Sequence, residues 1–329
     1  MYSVLHVNSC VQGKEYTRDA YATDLRAMQA TEALFERLYS AKISRALWLV
    51  RFSGQALFSG IAMTRDFATI NGFKLAYSLW GDRRYPVVVL SHSLATNLDL
   101  WNYQLPLLAR RFRVLLYDLR GHGASEAPGD NYTLQELASD VAALLDHLQI
   151  STAAFVGLSI GGMIGQYFAL QYPEKLAALI LCSTGSRTEP RAKATIQERV
   201  ETVRREGLAS QVQPTLARWF TPKFIEESPA NVAWISELIL RTSVDGYAGC
   251  ARAAEGLDVT DALHNIKAPT LIVPGEFDAA FPEASSRAIQ QRIPNAELRV
   301  LDGAAHLGNV EQAHRFNEII LNFLRRALT

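Results

Sequence analysis

The sequence predicts an α/β fold in which a mostly parallel sheet is flanked by helices and carries a helical insert before one late strand. From Arg65 onwards, short apolar runs with strand character alternate with helical patterns, which is typical of parallel strands joined by crossover helices. The alternation stops near Ser186, gives way to helical patterns from 190 to 255, and resumes at Pro269. A strand, a sharp turn and a helix around Ser159 indicate a candidate site at the carboxyl ends of the strands.

Composition excludes several classes of protein. The 329 residues include 33 basic and 33 acidic side chains, so no net field attracts nucleic acid or an anionic membrane surface. The three cysteines are scattered and odd in number, which argues against a disulfide framework and predicts a cytoplasmic protein. No CxxC or HExxH spacing and no membrane-spanning apolar run occurs, so we predict no metal, no other cofactor and no membrane partner. Nothing in the sequence predicts the oligomeric state.

Residues 1 to 62 have a different character from the rest. One amphipathic helical pattern covers Thr23 to Tyr39, and the segment from Lys42 to Gly60 contains bases but no acids. The segment lacks the organisation of a signal peptide, and its earlier acids argue against an organelle transit peptide. A start of translation at Met63 is a further alternative. We expect residues 1–62 to be a poorly ordered or non-native extension.

The first part of the domain is predicted from apolar runs and turn signals. Asn71-Gly72 between two alternating runs predicts a β-hairpin with a type I′ turn. Thr133 and Glu136 form a capping box that opens a helix. The predicted elements are strands at 67–70, 73–78, 87–90, 113–117, 153–156 and 179–182, and helices at 101–110, 133–147 and 160–172.

The second part contains the insert and the last strands. We assign 63–187 and 257–329 to the α/β core and 188–256 to a helical lid over the strand ends. Prolines interrupt the lid, which also carries several aromatic residues. The core is completed by strands at 270–273 and 297–301 and a closing helix at 309–327.

Ser159 lies in Gly157-Leu-Ser-Ile-Gly161, a G-x-S-x-G motif between an apolar strand and a helix of small residues. Glycines on both sides of the serine allow the tight turn and the close approach of strand and helix. Such a turn exposes the serine hydroxyl and points the N–H of Ile160 toward the same space. A glycine-rich turn with an incidental serine is the alternative, because short motifs recur by accident.

Asp278 and His306 follow later predicted strands, and they complete the order Ser, Asp, His that accompanies this turn. A serine hydroxyl needs a base to remove its proton, and the base needs an acid to fix its tautomer. Individually, Asp278 could be a turn residue and His306 a loop residue. Together they predict a catalytic triad, with Asp118 as the alternative acid.

Residues 65 to 329 resemble the α/β-hydrolase superfamily, through GLSIGG, DLRGHGAS and the Ser-Asp-His order. Within it they are similar to the 3-oxoadipate enol-lactonases of aromatic-acid catabolism. The narrower similarity rests on LSHSL at 90–94, ARWFTP at 217–222, GYA at 246–248 and AHLGN at 305–309. Ala95 and Ile160 stand where these lactonases commonly have glycine and methionine.

The resemblance implies hydrolysis of 3-oxoadipate enol-lactone through an acyl-enzyme on Ser159. The backbone N–H groups of Leu94 and Ile160 then form the oxyanion hole. From their positions in the chain, His92 is structural, since His306 fills the role of base, and Asp118 and His122 are loop-fixing residues. The substrate is a small anionic lactone, and Arg218 and Trp219 in the lid are the candidate substrate-binding residues, with Arg218 as the partner of the carboxylate. A solvated surface arginine is the alternative for Arg218.

The triad is compatible with other functions on the same scaffold. A carboxylesterase, a perhydrolase or a carbon–carbon bond hydrolase has the same triad, and only the lid separates them. A non-catalytic ligand receptor is the alternative from another class. An epoxide hydrolase or dehalogenase needs an aspartate at position 159, where the chain has serine.

Overall fold

A computed structural model describes residues 63–328, so the expectations for residues 1–62 lie outside the described residues. Eight strands form one sheet in the order β1-β2-β4-β3-β5-β6-β7-β8. The strands are β1 Asp66–Ile70, β2 Phe73–Trp80, β3 Val87–Ser91, β4 Arg113–Tyr117, β5 Ala153–Leu158, β6 Leu176–Cys182, β7 Thr270–Val273 and β8 Glu297–Leu298. β1 pairs antiparallel with β2 and β2 with β4, whereas the other five pairings are parallel. The predicted mostly parallel sheet is confirmed.

Helices cover both faces of the sheet. They are α1 Leu105–Leu108, α2 Leu134–His147, α3 Ile160–Gln171, α4 Pro190–Glu206, α5 Val212–Trp219, α6 Pro222–Glu227, α7 Pro229–Leu240, α8 Val244–Glu255, α9 Glu283–Gln290, α10 Gly308–Glu311 and α11 Ala313–Ala327. Short 3₁₀ helices cover Leu98–Trp101, Pro173–Lys175, Leu208–Gln211 and Thr260–Asn265. None of the helices between residues 63 and 328 has the length and apolar character needed to cross a bilayer.

The hydrophobic core has two layers, one on each face of the sheet. Val88 and Leu90 belong to one buried cluster and Val89 to the other, as the alternation of side chains along a strand requires. The first cluster includes residues of α1, α11 and the α4–α8 region, and the second includes residues of α2, α3 and α9. The central strands are therefore buried on both faces, which explains their continuous apolar runs.

Local sequence signals account for several element boundaries. Asn71 and Gly72 both have positive φ, 45° and 82°, as a type I′ turn requires. Thr133 and Glu136 form the capping box at the start of α2. Pro222 and Pro229 occupy the first positions of α6 and α7, where the missing N–H of proline costs no hydrogen bond.

Two predicted helices are divided in the structure. The helix predicted at 101–110 is a 3₁₀ turn followed by the single turn α1, because Pro106 cannot donate the hydrogen bond that a continuous helix needs there. The closing helix is divided into α10 and α11 at Gln312, whose φ of −124° and ψ of 45° are not helical. The last strand is also shorter than predicted and continues only as a bridge between Gly275 and Leu301.

The sheet order places the loops after β3 and β5 side by side. The chain moves from β3 to β4 on one side and then crosses to β5 on the other, so the strand order reverses between β3 and β5. In open α/β sheets, ligands bind in the crevice at the carboxyl ends of strands where the order reverses. Ser159 follows β5 directly, and residues 92–97 follow β3.

Candidate active site

Ser159 forms the sharp turn between β5 and α3. Its φ of 58° and ψ of −117° lie in a region that side-chain-bearing residues rarely adopt. A Cβ at Gly157 would lie 2.2 Å from the carbonyl oxygen of Gly161, and one at Gly161 would lie 2.3 Å from that of Ser91. Glycine is therefore required on both sides of Ser159 because backbone segments meet there.

Hydrogen bonds to β6 and to the loop that follows β6 hold the strained turn in place. The N–H of Ser159 donates to the carbonyl of Cys182 over 2.9 Å, and the Thr184 hydroxyl donates to the carbonyl of Ser159 over 2.9 Å. Ser159 as a whole is 8% exposed. These contacts fix the backbone on both sides of its side chain.

His306 and Asp278 are brought together although they are far apart in the chain. Nδ1 of His306 lies 3.0 Å from Oδ2 of Asp278, and the two residues are 1% and 3% exposed. The other carboxylate oxygen of Asp278 accepts the N–H groups of Ala280 and Phe281, over 2.9 and 3.0 Å. Asp278 is thus held at both oxygens, and its position fixes the imidazole ring.

The charge of Asp278 decides which ring nitrogen of His306 carries the proton. Burial alone raises the pKa of this carboxyl, but nearby His306 and the donated N–H groups outweigh burial and lower the pKa below its ordinary value. An ionised carboxylate only accepts hydrogen bonds, so Nδ1 of His306 is the donor. Nε2 of the neutral ring is then left with a lone pair that can accept a proton.

Two aromatic rings pack on the His306 imidazole. The ring centroids of Trp219 and Phe281 lie 6.1 and 5.8 Å from it, each at an interplanar angle of 26°. The N–H of Leu307 also donates to the carbonyl of Trp219 over 3.1 Å, which ties the end of α5 to the loop that carries His306. Trp219 was expected from the sequence as a substrate-binding residue; Phe281 was missed, because no pattern in the chain pairs it with His306.

The two predicted oxyanion donors lie on the loops after β3 and β5. Ile160 opens α3, a helix of twelve residues whose N-terminus favours negative charge. Leu94 follows the buried Ser93, and Ala95 after it has a φ of 59°. Within residues 63–328, neither the N–H of Leu94 nor that of Ile160 donates to a backbone acceptor.

Asp118, the alternative acid, has a different set of partners. One oxygen accepts the N–H of Leu98 over 2.8 Å, and the other accepts the N–H of Ala124 over 2.9 Å and Nε of Arg65 over 3.2 Å. Arg65 also pairs with Asp99. The carboxylate of Asp118 therefore joins three chain segments, whereas Asp278 is the one hydrogen-bonded to His306.

Arg218 is a half-buried guanidinium whose hydrogen bond goes to a neutral group. Its Nη2 donates to the Thr215 hydroxyl over 2.9 Å, and no ion pair to an acidic side chain is found for it in the described part of the chain. Burial lowers the pKa of Arg218, the nearby charge of Arg199 lowers it further, and Tyr247 opposes the change. An anion bound here would relieve the repulsion between the two arginines.

Several residues of the helical insert that resemble the enol-lactonases make contacts that hold the insert on the core. A Cβ at Gly246 would lie 2.3 Å from the carbonyl of Gly121, and the Ser243 hydroxyl donates to the same carbonyl over 2.8 Å. Thr221 caps α6 and bonds Glu311. These contacts attach the helical insert to the core, so Gly246, Ser243 and Thr221 have structural roles.

No group of histidine, cysteine, aspartate and glutamate side chains within the described residues is arranged to hold a metal ion. The polar groups of the site are a hydroxyl, an imidazole, a carboxylate and backbone N–H groups. These are the groups that acyl transfer to a serine requires.

The chain belongs to the α/β-hydrolase family. The family described as "alpha/beta hydrolase fold" matches residues 86–313, which include the loops after β3 and β5 and both members of the His306–Asp278 pair.

Within this family, the chain is similar to enol-lactonases and to an esterase. A 3-oxoadipate enol-lactonase of Acinetobacter baylyi is 37% identical over 262 residues, which cover 80% of this chain and 97% of the relative. The crystal structure of the enol-lactonase from Burkholderia xenovorans is 36% identical with a TM-score of 0.76, over 79% of this chain and 100% of that one. A thermophilic esterase from Thermogutta terrifontis is 32% identical with a TM-score of 0.77, over 81% of this chain and 100% of that one. The predicted resemblance to the enol-lactonases is therefore confirmed.

Proposed function

We propose that the protein is a serine hydrolase that opens the enol-lactone of 3-oxoadipate to 3-oxoadipate, a step of the β-ketoadipate pathway of aromatic-compound catabolism. The observation that carries the proposal is the buried, hydrogen-bonded pair of His306 and Asp278. This pair and the strained turn at Ser159 all follow parallel strands of the sheet. The similarity to two enol-lactonases supports the choice of substrate.

In the first half-reaction, the Ser159 hydroxyl attacks the lactone carbonyl while Nε2 of His306 takes its proton. Asp278 keeps the other ring proton on Nδ1 and stabilises the imidazolium that forms. The carbonyl oxygen becomes an oxyanion, which the N–H groups of Leu94 and Ile160 stabilise. The imidazolium then returns its proton to the leaving oxygen.

The leaving group of a lactone stays attached to the acyl chain. Here it leaves as an enol, which tautomerises to a ketone, and the loss of the enol oxygen as a nucleophile disfavours reclosure. Water, activated by His306 in the same way, releases the product from Ser159. The enzyme therefore needs no cofactor for this reaction.

The substrate carries one free carboxylate, remote from the reacting lactone carbonyl, and we propose that Arg218 binds it. Among the described residues, this half-buried guanidinium has no acidic partner, which supports the role, as does its neighbour Arg199. Trp219 packs on His306 and excludes water from the reaction, as part of a lid that we assign to residues 188–256.

We propose that 63–187 and 257–329 form the catalytic core and that residues 1–62 contribute nothing to catalysis. Free thiols at the buried Cys182 and Cys250 are compatible with the cytoplasmic location that we propose. A protein that begins at Met63 should match the full chain in Tm and in kcat/KM. A drop of several degrees in Tm would show that the N-terminal segment stabilises the core.

The proposal is tested by turnover of the enol-lactone beside p-nitrophenyl acetate, with Ser159→Ala as the control. A pocket that pairs with the substrate carboxylate should raise kcat/KM for the lactone at least about tenfold above the neutral ester. Hydrolysis that persists in Ser159→Ala would overturn the serine mechanism. Preference for neutral esters would favour a carboxylesterase, the second candidate, which the similarity to the Thermogutta terrifontis esterase supports.

A further inference from the structure

Two fully buried histidines, His92 and His122, lie on the loops after β3 and β4. Their ring centroids are 5.4 Å apart. Nε2 of His92 accepts the N–H of Leu119 over 2.9 Å, and Nε2 of His122 accepts the N–H of Ala95 over 3.1 Å. Each histidine therefore accepts a backbone hydrogen bond from the loop that carries the other, and we call this arrangement the histidine clasp.

The partners of the second ring nitrogens fix both tautomers. Nδ1 of His92 lies 2.8 Å from the carbonyl oxygen of Ser93, and Nδ1 of His122 lies 2.9 Å from that of Arg120. A carbonyl oxygen only accepts, so Nδ1 carries the proton in both rings and Nε2 carries the lone pair. Burial lowers the pKa of His92 to about 4 and that of His122 to about 3, so both rings are neutral near pH 7.

The clasp holds both peptide planes that flank Leu94. In the plane between Ser93 and Leu94, the carbonyl accepts Nδ1–H of His92 and also the N–H and hydroxyl of Thr96, over 3.2 and 2.8 Å. In the plane between Leu94 and Ala95, the N–H donates to His122.

A trans peptide is planar, with its N–H pointing opposite to its C=O. Three hydrogen bonds on the Ser93 carbonyl therefore set the direction of the Leu94 N–H. His122 holds the following plane, where Ala95 has the positive φ of 59° that a side-chain-bearing residue avoids.

We propose that His92 and His122 are positioning residues that aim the N–H of Leu94 at the oxyanion. This inference rests on the proposed serine mechanism, in which Leu94 is an oxyanion donor. The two histidines touch no reacting atom; they act through the backbone of residues 93–95. An oxyanion donor stabilises the transition state more than the bound substrate, so a misdirected Leu94 N–H lowers kcat and leaves KM nearly unchanged.

The decisive comparison is His122→Leu against His122→Gln. Leucine removes the acceptor, whereas the amide oxygen of glutamine reaches the place of Nε2 and can accept the Ala95 N–H. Loss of a whole oxyanion donor costs roughly 100- to 1,000-fold in kcat, so a misdirected donor should cost about 10- to 100-fold in His122→Leu. KM should stay within about threefold, and His122→Gln should regain most of the lost kcat.

The Ki of a trifluoromethyl ketone separates a positioning role from a merely structural one, because a merely structural role leaves Ki unchanged. The serine adduct of this inhibitor carries an oxyanion, so its Ki should rise in His122→Leu by the same factor by which kcat falls. His264→Gln is the matched control, since this exposed histidine also pairs with a backbone carbonyl three residues away. Leu144→Ala, a buried change near the end of α2, controls for lost stability and should lower Tm without lowering kcat.

His92→Asn keeps the result interpretable if His122→Leu fails to fold. Its amide can still donate to the Ser93 carbonyl but cannot reach Leu119, so kcat should fall less than in His92→Leu. Wild-type kcat and Ki in folded His122→Leu would overturn the proposal, as would a loss of kcat that only tracks Tm, as in Leu144→Ala. The assays use p-nitrophenyl acetate, so an incorrect lactone assignment does not affect them, and activity in Ser159→Ala would separately overturn the serine mechanism.

Discussion

The buried histidines at this edge of the sheet fall into two groups with opposite partners. His306 donates to the carboxylate of Asp278, whereas His92 and His122 hydrogen-bond backbone carbonyl and N–H groups. A carboxylate stabilises the imidazolium, so His306 can gain a proton during a reaction. Burial lowers the pKa of both clasp histidines, and a backbone N–H that points at Nε2 also opposes a proton there, so these rings stay neutral. All three histidines are buried, so the partner distinguishes the one that can exchange protons from the two that fix loops.

The largest loss of kcat is expected from removing His306, which exchanges protons, or Ser159, the nucleophile that it activates. Ser159→Ala and His306→Ala should each lower kcat by roughly 10⁴- to 10⁶-fold, and the double variant should lose little more because the residues act as a unit. Circular dichroism and Tm check that each variant is folded. Additive losses in the double variant would contradict the proposed coupling.

Two aspartate variants test whether the carboxylate that pairs with His306 is the one that catalysis needs. Asp278→Asn should lower kcat about 10⁴-fold, because the amide favours the wrong tautomer of His306. Asp118→Asn should mainly lower Tm, because Asp118 binds Arg65 and two backbone N–H groups. A larger loss of kcat in Asp118→Asn than in Asp278→Asn would make Asp118 the catalytic acid.

The lid variants should act on binding with smaller effects. Arg218→Ala should raise KM for the anionic enol-lactone about 10- to 100-fold, the worth of one charge-assisted hydrogen bond, and hardly change KM for a neutral ester. Trp219→Ala should impair both substrates, because its ring packs on His306.

Measurement of KM for both substrates in Arg218→Ala and Arg218→Lys separates these roles. Lysine keeps the charge but loses the two-pronged geometry of the guanidinium, so it should recover only part of the binding. Equal effects of Arg218→Ala on charged and neutral substrates would make Arg218 a structural residue.

The clasp should also appear in the pH dependence of stability. His92 and His122 have pKa values lowered to about 4 and about 3 by burial, whereas unfolded histidines titrate near 6.5. Below pH 6.5 the unfolded chain binds more protons, so the free energy of unfolding falls as the pH is lowered from about 6.5 to about 4.

His122→Gln removes one of the two histidines that take up a proton on unfolding. It should therefore reduce the slope by up to about 1.4 kcal/mol per pH unit in urea titrations between pH 6.5 and 4. His264→Gln is the control for replacing an exposed histidine by glutamine. Equal slopes in wild type and His122→Gln would show that folding does not lower the pKa of His122.

Much of the fold could be predicted from the sequence because its signals are local. β4 and β7 have the predicted bounds, since continuous apolar runs define buried strands, and the Thr133 capping box marks the start of α2. The helix predicted at 101–110 is divided instead, because Pro106 lacks the N–H that a continuous helix needs. Local signals also define the turn at Ser159.

The contacts around the site could not be predicted in the same way. The stacking of Phe281 on His306 and the exchange of hydrogen bonds between His92 and His122 join segments that are distant in the chain. Sequence patterns show that a loop follows a strand, but they do not show which carbonyl a histidine nitrogen reaches. For the same reason, attachment to Gly121 explains Gly246 only once the structure is known.

In the proposed mechanism, His306, held by Asp278, activates the hydroxyl of Ser159. The most direct test is the rate of covalent modification by a fluorophosphonate, followed by intact mass, with the modified residue located by peptide mapping. This reaction needs the activated hydroxyl but not the natural substrate. The account predicts one adduct per chain, on Ser159, with no adduct in Ser159→Ala and a strongly reduced rate in His306→Ala. An adduct on another residue, or an unchanged rate in His306→Ala, would contradict it.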